Sequence, residues 1–371
     1  MRIGIDGGTW SNRRGYGRFL RELLPELVRL RPAWQFTVFL DQPRQDIITA
    51  PNLQWQSANT GQSVSAGAAA NSARSVPDLW RMSRAVRTVE FDAFWFPTVY
   101  SYFPLLGRLP VAVGIHDTMA DRHPQWAFAG KRQKLFWDLK VKLALAQAAR
   151  IVTVSVHSRR SIAEHFGIDS RRIAVVSEAA APVFQRADRS EEPYLLAVGG
   201  ISPNKNLRVL IPALAALRAR RPALRLVLAG DYKHDGFQGC YEELRAEADR
   251  CQVADAVVFA GYVPDEELAE LYRRCAVYVM PSLEEGFGLP LVEAMACGCA
   301  CVVAPGHALE EVGGDAVAVV KGGWAEAIGR VLDNDAERKA MRERSARRAA
   351  EFSWARGALA LATVFEEMVS R

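Results

Sequence analysis

The chain contains 371 residues, of which 50% are hydrophobic, 24% are charged and 9% are aromatic, a composition that excludes a disordered or fibrous protein. Lys and Arg exceed Asp and Glu by 47 − 42 = 5, a surplus too small to indicate a nucleic-acid-binding protein. At roughly 150 residues per domain, this length predicts two to three domains, and we favour two.

Cysteine usage and hydropathy predict a cytoplasmic protein. The chain has six cysteines and no secretory pattern after Met1, so we expect reduced thiols without disulfide bonds. No apolar run approaches the roughly 18 residues that a membrane-spanning helix needs. Any contact with a membrane is therefore expected to be peripheral.

The first half of the chain alternates short apolar runs with helical patterns. These patterns predict strands at residues 2–6, 34–40, 93–96, 111–115 and 151–155, and helices at 16–30, 131–149 and 158–166. Strands that alternate with helices indicate a parallel sheet with helices on both faces. The Ala-rich stretch 59–73 predicts a mobile loop.

The alternation stops at a polar linker within 179–193 and then restarts. We predict strands at 194–198, 224–229, 257–259, 277–280 and 300–303, and helices at 206–220, 336–351 and 354–369. The predicted organisation is an N-terminal domain at 1–185, a second domain at 190–353, and a C-terminal helix, 354–371, that packs back on the first domain.

The strongest motif is the segment from Glu285 to Glu293, which follows a predicted strand. Pro290 is typical of the first turn of a helix, where its missing N–H costs nothing. The amides of Phe287, Gly288 and Leu289 would then lie at a helix N-terminus, which favours an anion such as phosphate. The alternative is a tight strand-to-helix turn in which a Glu serves as a cap.

A second motif, from Gly199 to Asn206, also follows a predicted strand and leads into a helix. Gly199 and Gly200 allow a ligand to approach the backbone, and Lys205 is placed to meet a negative charge. The pattern predicts a phosphate clamp, although a Gly-Gly loop with a solvated Lys is an equally valid interpretation.

Together the two motifs resemble the retaining glycosyltransferases of family 4, over essentially the whole chain. The resemblance implies an α/β protein of the GT-B fold, in which two doubly wound, Rossmann-like domains face each other across a cleft. It implies that Glu285 lies against the donor sugar, that Lys205 binds the diphosphate and that Glu293 holds the ribose. It further assigns Phe287, Gly288 and Leu289 to the donor sugar and phosphate, and the base to the region of Tyr262 and Val263.

One feature departs from the family pattern. The family normally has an Arg beside the Lys, either directly after the first glycine or directly before the Lys. Here those places hold Gly200 and Asn204, so the basic pair is half missing. Arg208 or an Arg from the first domain is a candidate replacement.

The N-terminal domain contributes further candidates. Gly7 and Gly8 follow the first strand, and the segment from Gly15 through Tyr16 to Arg18 looks like the family's first Gly-rich loop. This segment lacks the third glycine of a dinucleotide fingerprint, which argues against a nicotinamide enzyme. His116 ends a strand and, by resemblance, reaches the donor sugar as a catalytic group. Tyr100 is a candidate for the acceptor site.

We predict no metal site and no cofactor. Asp333-Asn334-Asp335 matches the metal motif of other glycosyltransferases, but it precedes a charged helix and is typical of an N-cap. Cys297, Cys299 and Cys301 lie in an apolar stretch with no nearby His, so we expect buried small side chains and no zinc site.

Residues 131–142 combine Lys and Arg with Leu, Phe and Trp on a predicted helix. Such a helix is suited to the surface of an anionic membrane. In the alternative interpretation, Leu135 and Leu139 pack on the sheet while the lysines stay solvated.

The function implied by the resemblance is metal-independent transfer of a hexose, with retention, to a glycan or lipid-linked acceptor in polysaccharide or glycolipid assembly. Within the family, the motifs are most similar to bacterial mannosyltransferases, which favours GDP-mannose over UDP-sugars as donor. Two alternatives remain: a nucleotide-sugar epimerase of the same fold, and a noncatalytic partner subunit. The expected location is the cytoplasm, with peripheral contact at the inner face of the membrane.

Overall fold

The computed structural model describes residues 1–12, 15–61, 74–231 and 240–370 and divides them into two compact units. Unit 1 comprises Met1–Glu178 and Trp354–Arg371, and unit 2 comprises Ala179–Ser353. Residues 179–185, predicted to end the first domain, thus belong to unit 2. Arg273 explains this difference, because its guanidinium donates to the carbonyl oxygens of Val183 and Gln185. Most of the predicted mobile loop 59–73 lies outside the described residues.

Unit 1 is built on a parallel sheet whose described strands have the spatial order 3-2-1-4-5-6-7. These strands are β1 (Arg2–Asp6), β2 (Gln35–Leu40), β3 (Leu53–Ser57), β4 (Ala93–Phe96), β5 (Val111–Gly114), β6 (Ala148–Thr153) and β7 (Ile173–Val175). The side chains of β1 and β4 are almost completely buried, as expected for inner strands covered on both faces. All the strands predicted here are confirmed, whereas β3 and β7 were missed.

Helices cover this sheet, and the last one comes from the C-terminus. They are α1 (Gly15–Leu30), α2 (Val76–Val86), α3 (Met119–Arg122), α4 (Pro124–Ala127), α5 (Lys131–Gln147), α6 (Val156–Phe166) and, after unit 2, α14 (Trp354–Val369). Helix α14 packs on α1, with the rings of Phe19 and Trp354 6.2 Å apart and an ion pair of 2.9 Å between Arg31 and Glu366. Within the described ranges, no helix is both long enough and apolar enough to span a bilayer.

Unit 2 contains a second parallel sheet, with the order β10-β9-β8-β11-β12-β13. Its described strands are β8 (Glu192–Val198), β9 (Arg225–Ala229), β10 (Val257–Gly261), β11 (Cys275–Met280), β12 (Cys301–Val303) and β13 (Val317–Val319). Renumbered within the unit, this order is 3-2-1-4-5-6, the doubly wound arrangement of nucleotide-binding domains.

The helices of unit 2 follow its strands in alternation. They are α7 (Leu210–Arg218), α8 (Tyr241–Arg250), α9 (Asp265–Arg274), α10 (Leu289–Ala296), α11 (Ala308–Gly313), α12 (Trp324–Asp333) and α13 (Asp335–Ala349). The helix predicted at 206–220 begins later than expected. Two 3₁₀ turns, Pro203–Lys205 and Leu207–Val209, precede α7, because Asn206 adopts a left-handed conformation with φ of 50°.

Both sheets reverse their winding direction at one point, between β1 and β4 in unit 1 and between β8 and β11 in unit 2. Open parallel sheets bind ligands beyond the carboxyl ends of the strands at such a switch point. The loops that follow these four strands are therefore where each unit is expected to bind a ligand.

Candidate functional site

At the switch point of unit 2, Lys205 and Glu285 form an ion pair. The loop after β8 supplies Lys205 and the loop after β11 supplies Glu285, and Lys205 Nζ lies 2.5 Å from Glu285 Oε1. Their side chains are only 19% and 13% exposed. Two predicted site residues that are 80 positions apart in sequence are thus brought into direct contact.

Glycines allow the neighbouring backbones to come close together. Gly199 has φ of +138°, and a Cβ built there would lie 3.3 Å from Lys205 Cε. A Cβ at Gly230, which follows β9, would lie 1.8 Å from the carbonyl oxygen of Gly199. Only glycine fits at position 230. The loop after β9 therefore lies directly against Gly199 and forms part of the candidate site. Gly200, the other predicted glycine, lies next to this contact and is half-buried.

Asn204 lies directly before Lys205, at one of the two positions where the family resemblance led us to expect an Arg, and it supplies no charge. Its carbonyl oxygen accepts a hydrogen bond of 2.8 Å from the N–H of Leu283, so it links the loops after β8 and β11. The guanidinium of Arg208, the suggested replacement, forms an ion pair of 3.1 Å with Glu247. Lys205 is therefore the basic residue that the Gly199–Asn206 motif brings to Glu285.

Helix α10 begins as the sequence predicts. Gly288 is its N-cap with φ of 92°, and Pro290 lies in the first turn. The helix offers no acceptor to the N–H of Leu289, since the first N–H groups of any α-helix lack an intrahelical partner. The Phe287 ring is buried, and it packs edge-on against Phe352 at 5.5 Å. This turn can therefore offer a ligand its backbone N–H groups, and the Phe287 side chain is not available.

Glu293 lies in α10 and is only 4% exposed. The Tyr272 hydroxyl donates to Glu293 Oε2 at 3.3 Å. Burial, together with the negative charge of Glu293, raises the pKa of Tyr272 well above its usual value. Tyr272 therefore remains a neutral donor that fixes the orientation of the carboxylate.

The predicted base region follows β10 at the same edge of the sheet. The Tyr262 side chain is 52% exposed, and Val263 is half-buried. The preceding residue, Gly261, has φ of 67°, and its carbonyl oxygen accepts a bond of 2.8 Å from the N–H of Gly230. The loops after β8, β9, β10 and β11 thus lie side by side at this edge.

In unit 1, the Gly7-Gly8 turn lies against a buried charge network that sequence reasoning missed. Arg74 Nε lies 2.7 Å from Asp41 Oδ1, and its Nη2 lies 3.3 Å from Asp6 Oδ1. Burial outweighs the attraction of Arg74 and raises the pKa of Asp6 to about 6. A Cβ at Gly8 would lie 2.6 Å from Arg74 Nη2, so a larger residue there would displace the guanidinium from its present position.

His116 lies after β5 and is 7% exposed. Its Nε2 donates to the carbonyl oxygen of Pro97 at 3.0 Å. Burial outweighs the hydrogen bond to Pro97 and lowers the pKa of His116 to about 4. A carboxylate oxygen of Glu178 lies 3.7 Å from Nδ1. At neutral pH the ring is uncharged, and Nδ1 is its remaining polar atom.

Tyr16, Tyr100, His116 and Asp117 surround a small cavity of about 10 Å³ that their side chains almost completely fill. The Tyr16 ring lies 4.9 Å from each of the Tyr100 and His116 rings. Residues 15–18 form the first turn of α1, which confirms the helix predicted at 16–30 and shows that the interpretation of this segment as a loop before the helix is wrong. Gly17 is needed there because a Cβ would lie 1.9 Å from the carbonyl oxygen of Asn12. Arg18 is half-buried on the same turn.

The structure also tests the motifs that were rejected as metal sites. Asn334 caps α13, where its side chain accepts a bond of 3.0 Å from the N–H of Glu337, which confirms the N-cap prediction. Cys297, Cys299 and Cys301 are buried, as predicted. No group of three or more His, Cys, Asp or Glu side chains suited to a metal ion occurs among the described residues.

Helix α5 has an exposed apolar side. Leu135, Phe136 and Leu139 are 67%, 57% and 52% exposed, whereas Trp137 and Val141 face the protein interior. The interpretation in which Leu135 and Leu139 pack on the sheet is therefore wrong, because the buried positions of the helix are offset from them.

Comparison with known proteins gives two family matches that together span most of the chain. The model described as "Glycosyltransferase Family 4" matches residues 13–179, and the model described as "Glycosyl transferases group 1" matches residues 182–348. The chain is 32% identical to the O-antigen chain mannosyltransferase B of Escherichia coli over 68% of its own length and 69% of that relative.

Two solved structures show the same fold. Sucrose-phosphate synthase from Thermosynechococcus elongatus has a TM-score of 0.77 at 17% identity, and the match covers 100% of this chain and 99% of that one. Anabaena HepE in complex with UDP and glucose has a TM-score of 0.71 at 17% identity, with coverage of 99% and 100%. At these identities the likeness concerns architecture alone.

Proposed function

We propose that this chain, which belongs to glycosyltransferase family 4 and has the GT-B fold, transfers mannose from GDP-mannose to a glycan or lipid-linked acceptor in polysaccharide or glycolipid assembly. The proposal depends above all on one observation, the Lys205–Glu285 pair at the switch point of unit 2. Similarity to an O-antigen mannosyltransferase supports mannose as the sugar. The UDP complex of HepE makes a UDP-sugar the second candidate donor.

Unit 2 binds the donor in this proposal. Lys205 and the amides at the start of α10 hold the diphosphate, because an ammonium group and a helix N-terminus both favour an anion. Glu293, oriented by Tyr272, accepts hydrogen bonds from the ribose hydroxyls. The base stacks near the exposed Tyr262. Glu285 faces the sugar, and Lys205 exchanges its present carboxylate partner for the phosphate when the donor binds.

Transfer breaks the bond between the anomeric carbon and an oxygen of the β-phosphate, and the electron pair leaves with that oxygen. The acceptor hydroxyl attacks from the same face, which retains the configuration, and its proton passes to the leaving phosphate. Negative charge therefore grows on the diphosphate as the bond breaks. Lys205 and preorganised N–H groups stabilise this charge more in the transition state than in the ground state, without a metal ion.

Three predicted residues of unit 1, Tyr16, Tyr100 and His116, form one cluster at the carboxyl edge of its sheet. We assign this edge to the acceptor, because it lies at the switch point of the unit 1 sheet, where open parallel sheets bind ligands. The assignment of His116 to the donor sugar remains a prediction from the family resemblance.

Nucleotide binding tests the proposal directly. Isothermal titration calorimetry with GDP, UDP, GDP-mannose and UDP-glucose should give binding to at least one nucleotide and its sugar conjugate, and the same ligand should raise Tm. Absence of binding to all four would contradict a catalytic role and favour a noncatalytic partner subunit. Conversion of the donor to an epimer, without acceptor, would identify the alternative epimerase.

We further propose that α5 places unit 1 on an anionic membrane, at the inner face if the protein is cytoplasmic. Residues 131–147 contain five Lys or Arg and one Asp, so the helix carries 5 − 1 = +4 of the chain's net charge of +5. Lys131, Arg132 and Lys142 flank the exposed apolar side formed by Leu135 and Leu139. An exposed apolar stripe bordered by cations is typical of interfacial helices.

Vesicle co-sedimentation tests this contact. The chain should sediment with vesicles of phosphatidylglycerol and phosphatidylcholine, and less with pure phosphatidylcholine. The double variant Leu135→Ser/Leu139→Ser should lose most of this binding. Leu359→Ser is a matched control, since Leu359 is 50% exposed on α14. Equal binding to both vesicle types, or wild-type binding by the double variant, would contradict the proposal.

A further inference from the structure

We propose that His307 is a positioning residue that holds the loop carrying Glu285 in place at the donor site. His307 lies between β12 and α11, outside every motif that the sequence analysis identified. Its ring Nε2 lies 3.0 Å from the backbone carbonyl oxygen of Ser282. Because a carbonyl oxygen only accepts, Nε2 carries the hydrogen and donates it.

The loop that carries Glu285 is held from both sides. On one side, the N–H of Leu283 donates to the carbonyl oxygen of Asn204 at 2.8 Å. On the other side, His307 donates to the preceding residue, Ser282. This arrangement follows from the sheet order, since β8 and β12 are the two neighbours of β11. His307 therefore fixes the start of the loop after β11 from the β12 side, and this loop places Glu285 beside Lys205.

The backbone of His307 is strained. Its φ of 55° and ψ of −164° lie close to a region that only glycine adopts readily. A non-glycine residue persists there only where its surroundings hold it, and such residues concentrate at functional sites. The ring Nδ1 is buried, although the residue as a whole is only half-buried. Glycine at this position would relieve the strain but would lose the hydrogen bond to Ser282.

Contacts on the far side of the same loop support this role. A Cβ built at Gly288 would lie 2.5 Å from Leu309 Cδ2, so the start of α11 also packs against the N-cap of α10. The segment His307 to Leu309 thus touches the loop after β11 at both of its ends. Loss of the His307 hydrogen bond would act directly on Ser282, three residues before Glu285, whereas the Glu293 carboxylate is held separately by Tyr272.

The test uses His307→Gly, which removes both the donor and the strain, and it rests on the proposed function. We expect an unchanged or higher Tm, together with a 10- to 100-fold lower kcat for release of GDP from GDP-mannose, on the scale of a misplaced catalytic group. Affinity for GDP should stay within about threefold, because GDP lacks the sugar that Glu285 faces. His307→Gln, which keeps an amide donor at similar reach, should recover most of the lost kcat.

Gln252→Gly is the matched control. Gln252 has the same φ of 55°, but it lies beyond the end of α8, so its replacement should relieve strain without changing kcat. Unchanged kcat in His307→Gly, or a fall in kcat that follows a fall in Tm and is not recovered by Gln, would overturn the positioning role. A wild-type chain that binds neither GDP nor UDP would instead refute the proposed function. If the wild-type chain binds UDP alone, the His307→Gly test is carried out with UDP and UDP-glucose in place of GDP and GDP-mannose.

Discussion

Replacement of Lys205 by Ala is expected to affect stability and catalysis separately. In the absence of donor, Lys205 neutralises Glu285 across 2.5 Å, and both side chains are mostly shielded from water. Lys205→Ala leaves a shielded carboxylate without its partner, which costs about 1–3 kcal/mol of unfolding free energy. The double variant Lys205→Ala/Glu285→Gln removes that carboxylate charge and should recover most of the loss.

The double variant Lys205→Ala/Glu285→Gln should recover stability but not catalytic activity. Loss of one group that stabilises developing charge lowers turnover by roughly 10²- to 10³-fold. We therefore expect kcat/KM for the donor to fall by this factor in Lys205→Ala and to stay low in the double variant. Urea denaturation measures the stability, and nucleotide release measures the turnover. Wild-type turnover in Lys205→Ala, or restored turnover in the double variant, would refute the assignment of Lys205 to the leaving diphosphate.

Two further predictions concern groups at the edges of the site. Glu293→Ala should mainly raise the donor KM, because a ribose contact has similar strength in the ground and transition states; lower kcat at unchanged KM would contradict this role. Since burial lowers the pKa of His116 to about 4, wild-type stability should rise between about pH 4 and pH 6.5 by up to about 3 kcal/mol relative to His116→Gln. Parallel stability curves for the two proteins would show that His116 is not buried in its neutral form.

The alternation of strands and helices allowed the α/β fold to be predicted from the sequence, because fully buried strands appear as continuous apolar runs. Strand β11, whose residues are all buried, was predicted at 277–280 and extends two residues further toward the N-terminus. Strand β3 was missed because its sequence, Leu-Gln-Trp-Gln-Ser, is half polar at the sheet edge. Local patterns also missed the 3₁₀ turns before α7, which arise from the backbone conformation of a single residue, Asn206.

The candidate site was only partly predictable, because some of its features depend on local backbone preferences and others on contacts between distant segments. Glycines and a Pro next to strand ends identified both candidate phosphate-binding loops, since these residue types have strong backbone preferences. The close approach of Gly230 to Gly199 had a comparable signal, a glycine at the end of a strand. The contacts of Arg74 and His307 had none, because they depend on tertiary packing between segments distant in sequence.

The central claim is that the departing diphosphate is bound by Lys205 and the first turn of α10. A crystal of the full chain soaked with GDP or UDP tests this most directly. The account predicts density for the diphosphate within hydrogen-bonding distance of Lys205 Nζ and the N-terminal amides of α10, with the Lys205–Glu285 contact broken. Nucleotide bound elsewhere, with that contact intact, would contradict it.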